Sequence, residues 1–151
     1  MTHAVRRVVT GLDAEGRSTV LFDGSRSGDG PQVLWHSPVN PADNAGGDDA
    51  GAIDFSGEMF RSPGSMFMLF ELPPAAPGEP PLVHATNTID YIVVLKGRIE
   101  LQLEDGSVEL DPGDCVIQRG TIHAWRALDG KPAVSVGVLL PAHPVGAGAT
   151  I

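Results

Sequence analysis

From residue 66 onward the chain is cut into short apolar runs, each closed by a turn, and this cadence limits the possible folds more than any other feature. Met66 to Leu72 is the first run. The stretch Pro73-Pro74-Ala75-Ala76-Pro77-Gly78-Glu79-Pro80-Pro81 continues neither helix nor sheet, because proline lacks the N–H that both require. Ile89 to Leu95 and Arg98 to Leu103 flank Lys96-Gly97, a pair suited to a two-residue hairpin turn in which glycine supplies the positive φ. In Arg98 to Leu103 the apolar Ile99, Leu101 and Leu103 alternate with polar residues, the period of a strand with one wet face.

Asp105-Gly106 predicts the next hairpin, and Asp111-Pro112-Gly113-Asp114 places Pro and Gly where a type II turn needs them. Cys115 to Gln118, Ile122 to Leu128 and Ala133 to Leu140 complete the series. No segment sustains a period of 3.6, and strands recur every roughly 8 to 12 residues, as in sandwiches and barrels. The fold class is therefore all-β, and 151 residues make one domain.

Ahead of this barrel segment, residues 66–140, lie residues 1–65. They hold a hairpin (Val5 to Thr10 and Ser18 to Phe22), a short run at Val33-Leu34-Trp35, and a polar, glycine-rich loop from Ser37 to Ser65. A loop this long reads as a lid, an arm or a mobile segment. The tail from Pro141 to Ile151, rich in Ala and Gly, is expected to hang loose.

A net charge of −9, from 19 acidic and 10 basic residues, repels nucleic-acid phosphates and anionic membranes, so the expected partner is a small molecule. No run approaches the ~18 apolar residues of a membrane span, and Cys115, the only cysteine, admits no internal disulfide. A cytoplasmic location is the default, and Cys115 reads as a small buried hydrophobe. Trp125, Phe67, Met68 and Tyr91 read as core or pocket wall.

Of the five histidines, only His84 and His123 sit inside patterned structure. Equal parity along an extended strand puts His84, Thr86, Thr88 and Asp90 on one face, and His123 on a face with Trp125. The stretch from His84 to Gly97 resembles the first motif of the cupin superfamily: His, one residue, His, three or four residues, Glu, six residues, Gly. His84 falls on the first histidine, Thr86 on the second, Asp90 on the glutamate and Gly97 on the glycine. Gln118-Arg119-Gly120-Thr121-Ile122-His123 resembles the second motif, with Gln118 in place of its proline.

The resemblance implies an antiparallel double-stranded β-helix, or jelly-roll barrel. It also implies a divalent metal, which in the family is held by three histidines and one glutamate. Carried onto this chain, it leaves His84, Asp90 and His123 as metal ligands, with Thr86 orienting water or substrate. Two imidazoles and one carboxylate form the facial triad associated with Fe(II), and Zn, Mn or Ni suit the same donors. The expected function is a metal-dependent enzyme on a small oxygenated metabolite, such as a hydroxy acid, keto acid or polyketide-like enol, by lyase, isomerase or dioxygen chemistry. Two alternatives accompany it: a non-catalytic ligand-binding barrel, and a metal-free lyase with Asp90 and His123 as acid and base. Cupins commonly dimerise, so a homodimer is expected.

Overall fold

The computed structural model describes residues 3–28 and 30–151; residues 1, 2 and 29 of the N-terminal segment lie outside it. Among the described residues ten strands follow in order: β1 (Val5–Leu12), β2 (Ser18–Arg26), β3 (Gln32–Ser37), β4 (Ser65–Leu72), β5 (Thr88–Lys96), β6 (Ile99–Leu103), β7 (Gly106–Leu110), β8 (Cys115–Gln118), β9 (His123–Ala127) and β10 (Ala133–Pro141). A single 3₁₀ turn, Gly57–Arg61, stands between β3 and β4. The strands form a five-stranded sheet in the order β3-β4-β10-β5-β8, a three-stranded sheet β7-β6-β9, and the separate hairpin β1-β2. All of these pairings are antiparallel. The architecture is the double-stranded β-helix barrel that the resemblance implies.

The core follows from strand parity. In β5, Thr88, Asp90, Ile92 and Val94 are buried on one face, while Tyr91 and Leu95 are exposed. Val94 and Ala133 from the larger sheet pack against Ile99, Leu101, Leu110 and Ala127 from the smaller one, closing one end of the barrel. Each large side chain buried here contributes about 1.5–3 kcal/mol, which is what holds the two sheets face to face.

Several local expectations need correction. Lys96-Gly97 joins β5 to β6, but these strands are not paired; Gly97 is a corner where the chain leaves one sheet for the other. Its φ is +71°, and a Cβ at this position would stand 2.6 Å from the Pro132 carbonyl oxygen, which explains why glycine is needed there. Local turn chemistry is the same for a hairpin and for such a corner, so sequence alone does not separate them. By contrast β6 and β7 form the hairpin expected before Gly106. Gly113 at φ +97°, with Asp114 N–H donating to the Asp111 carbonyl at 3.0 Å, makes the expected type II turn.

The polar segment after β3 is not a free arm. Arg7 on β1 grips Asp49 through two charge-assisted bonds of 2.5 Å, and His36 N–H donates to the Ala50 carbonyl at 3.2 Å. Ile53, Phe55, Met59 and Phe60 then lie against buried Val33, Met66, Met68 and Leu139. These apolar residues are spaced irregularly among glycines and acids, so no period announces them. Arg7→Ala strands the half-buried Asp49 carboxylate and is expected to cost about 1–2 kcal/mol. Limited proteolysis checks this: cleavage within residues 38–56 accelerates in the variant, whereas an unchanged rate shows that the apolar anchors suffice.

The C-terminal residues do not hang loose either. Thr150 N–H donates to the Ala85 carbonyl and Ala85 N–H to Thr150 Oγ1, both at 2.9 Å, while Ala149 N–H donates to Asn87 Oδ1 at 2.9 Å. Backbone groups of the strand approach that no neighbouring strand satisfies find their partners in the tail. Cys115 is exposed, as are Phe67 and Tyr91, because each occupies the outward parity of its strand. Met68 is fully buried in the core.

Candidate functional site

His84 and His123 meet through an isolated antiparallel bridge, in which each backbone N–H donates to the other residue's carbonyl at 2.9 Å. Directly opposed residues point their side chains to the same face. The two imidazoles consequently lie 4.4 Å apart between ring centroids, tilted by 53°. Trp125, next but one along β9, sets its ring edge-on to His123 at 5.5 Å and 77°.

Both rings are held in the same way. His84 Nδ1 lies 3.1 Å from the Leu82 carbonyl and His123 Nδ1 lies 2.8 Å from the Thr121 carbonyl. A carbonyl only accepts, so each Nδ1 carries a proton, and Nε2 is the ring nitrogen left for a ligand. The turn into β9 depends on Gly120 at φ +73°, where a Cβ would stand 2.8 Å from the Thr86 carbonyl oxygen.

Asp90, the third residue of β5, is 6% exposed and lies directly across from Gln118 on β8. Burial pushes its carboxyl up to about 6, against the opposing effect of a hydrogen bond from the Thr88 hydroxyl. Thr88 in turn shares a 2.7 Å hydrogen bond with Thr86, so both buried threonines are occupied within the strand. Burial lowers the His123 pKa; the Thr121 contact opposes this and His84 adds to it. Desolvation thus disfavours charge on both groups, leaving His123 neutral and Asp90 poised near neutrality.

These residues open onto a cavity of about 380 Å³, a volume suited to a small organic ligand. Its walls are largely apolar, with Phe55, Phe60, Phe70 and Trp125 as the aromatic surfaces. His84, Thr86, Asp90, His123 and Ser135 supply the polar groups. All four residues expected from the sequence therefore line one pocket. Phe55 and Phe60 come from the segment read as a polar loop, and Ile151 from the tail read as free.

The expected ligand set is not assembled. Among the described residues, no group of three or more His, Cys, Asp or Glu side chains converges closely enough to hold a metal ion. The two imidazoles offer paired Nε2 atoms, but no carboxylate converges on them, the Asp90 side chain being one methylene shorter than glutamate. Thr86 offers only a neutral hydroxyl already engaged by Thr88. The donors present do not fit the three-residue metal centre that the motif implies.

Comparison with known proteins places these features. The model of a family described as the cupin domain matches residues 68–139. Over 75 residues the chain is 40% identical to the oryzines biosynthesis cluster protein J of Aspergillus oryzae, a match covering 40% of this chain and 42% of that protein. The shared region is thus less than half the length of that relative. A longer match, 29% identical over 157 residues, relates 93% of this chain to 74% of the cupin-domain-containing oxidoreductase fogC of Aspergillus ruber. Among solved structures, a conserved protein with a double-stranded β-helix domain from Klebsiella pneumoniae is 23% identical with a TM-score of 0.45, covering 58% of this chain and 76% of that one.

Proposed function

We propose that the barrel of this chain, whose residues 68–139 match the cupin domain, is an enzyme that moves a proton on a small, mostly apolar, oxygen-bearing molecule. The observation that carries this reading is a buried Asp90 carboxyl at about 6 in the same apolar cavity as two imidazoles, each held by a backbone carbonyl at Nδ1. A group that titrates near the working pH is the most effective proton carrier. Above pH 6 Asp90 is ionised and takes a proton from the ligand, most readily from carbon next to a carbonyl. His123 accepts a hydrogen bond from a ligand hydroxyl at Nε2, which fixes the molecule against Asp90. Trp125 and the phenylalanines exclude water, so the proton is returned to the ligand at a different atom, or leaves with a departing hydroxyl as water. Isomerisation and dehydration both follow from this arrangement.

The test is hydrogen–deuterium exchange in D2O with a panel of aryl-substituted 2-hydroxyketones, read by proton NMR. Carbon-bound hydrogen is expected to exchange faster with the protein than in buffer, and Asp90→Asn is expected to slow it about 100-fold or more. Exchange no faster than in buffer, or unchanged in the variant, overturns the proposal. The name of the relative from Aspergillus ruber supports a second reading, in which the same pocket serves an oxidoreductase. Net oxidation of a panel member, with a mass change of two hydrogens or one oxygen, would favour it.

A further inference from the structure

A second cavity, of about 280 Å³, adjoins the main one and shares Gly57, Phe60 and Ile151 with it as walls. Its polar groups come from three separate segments: Arg61 ends the 3₁₀ turn, Asn87 stands just before β5, and Thr150 lies in the tail. The acceptor atoms of this set are already in use. Asn87 Oδ1 accepts from the Ala149 N–H and Thr150 Oγ1 accepts from the Ala85 N–H, both at 2.9 Å. These bonds fix the Asn87 amide with its Nδ2 hydrogens still to be given, and leave the Thr150 hydroxyl its hydrogen to donate. Arg61 places only Nη1 on a carboxylate, that of Glu58 at 2.9 Å, and the two side chains are 70% and 81% exposed, so the pair holds weakly. Among the described residues no Asp or Glu lines this cavity.

A cavity that presents donors, one of them a permanent cation, is matched by an acceptor with negative charge. The chain as a whole has a net charge of −9, so an anion is held here by these groups and not by the overall field of the protein. We infer that Arg61, Asn87 and Thr150 form an oxyanion subsite beside the main cavity, so that the protein takes a carboxylic acid whose apolar body fills the main cavity and whose carboxylate lies among these three donors. One cation offsets one charge. A carboxylate therefore fits better than a phosphate monoester, which carries about 1.5–2 negative charges near neutral pH. The inference deepens the proton-transfer reading, on which it rests for the placement of the ligand body, and it names the charged end of the molecule that the barrel acts on.

Three probes with one apolar body test it: 4-phenylbutanoate, 4-phenylbutanamide and 4-phenylbutyl phosphate, titrated calorimetrically into the intact protein at low ionic strength. The acid is expected to bind about tenfold or more tightly than the amide, and more tightly than the phosphate. In Arg61→Gln the preference for the acid should fall to within about twofold with the amide still bound, because the guanidinium alone carries the charge. Glu58→Gln, which releases the guanidinium from its competitor, should tighten the acid about threefold and leave the amide as it was. Equal binding of acid and amide by the natural protein overturns the subsite, as does a preference that survives Arg61→Gln; tighter binding of the phosphate overturns the choice of a carboxylate. A preference for the acid combined with no deuterium exchange would sink the proton-transfer reading and leave the subsite standing; exchange without the preference would do the reverse.

Discussion

Asp90→Asn is expected to stabilise the protein by about 3 kcal/mol at pH 8 and to have almost no effect at pH 3.5. The carboxyl moves from an ordinary 3.8 to about 6 on burial, a displacement worth about 3 kcal/mol. Because the folded state holds this proton more tightly than the unfolded chain, the associated stability is fully present below pH ~4. It is lost as pH rises through about 6, above which a charged Asp90 is held in a buried place that disfavours it. Asparagine is never charged and escapes that loss. Urea unfolding of both proteins at the two pH values measures the difference directly. Equal stability at pH 8 would show that the Asp90 carboxylate is solvated or paired when it ionises.

Gly120→Ala is expected to cost about 2–4 kcal/mol, the sum of a left-handed backbone with a Cβ and a forced contact. Its φ is +73°, and a Cβ there would stand 2.8 Å from the Thr86 oxygen and 3.2 Å from the Thr88 oxygen. Both neighbours are backbone atoms of the stretch that leads to Asp90, so neither can swing aside. For a domain of this size the loss should lower Tm by roughly 5–15 °C. Gly113→Ala is the matched control, since its φ is +97° but no atom lies within 4 Å of the added carbon. It should lose only about 1–2 kcal/mol, the left-handed part alone. Similar losses in the two variants would mean that the close approach at Gly120 carries no weight.

That contrast also bears on what was legible in the sequence. The spacing of His84, Asp90, Gly97, Gly120 and His123 reflects contacts between distant strands, and the alternation in β6 reflects one buried face; both survive in a linear reading. The partners of β5 do not, because a Lys-Gly corner and a Lys-Gly hairpin have the same local chemistry and differ only in which sheet receives the next strand. Phe55 and Phe60 were hidden for a different reason. They are held by the Arg7–Asp49 ion pair and by packing on Met66 and Met68, which are tertiary facts with no local signal. At the site, parity placed Asp90 on the inward face with Thr86 and Thr88. Nothing in parity could tell that its shorter side chain does not converge on the imidazole pair and stands opposite a glutamine.

Gln118 was visible as a departure from the motif, but only the ladder shows that it faces Asp90. The proposed proton transfer rests on two features: a carboxyl whose charge is disfavoured by burial, and a His123 imidazole whose charge is likewise disfavoured by burial. Its most direct test is the pH dependence of deuterium exchange into an aryl-substituted 2-hydroxyketone. The rate is predicted to rise tenfold per pH unit below 6, bend at about 6 where Asp90 ionises, and stay level to pH 8. A rate that bends near pH 4, the ordinary range of an exposed carboxyl, or that falls as pH rises through 6, would contradict a proton-transfer role for Asp90.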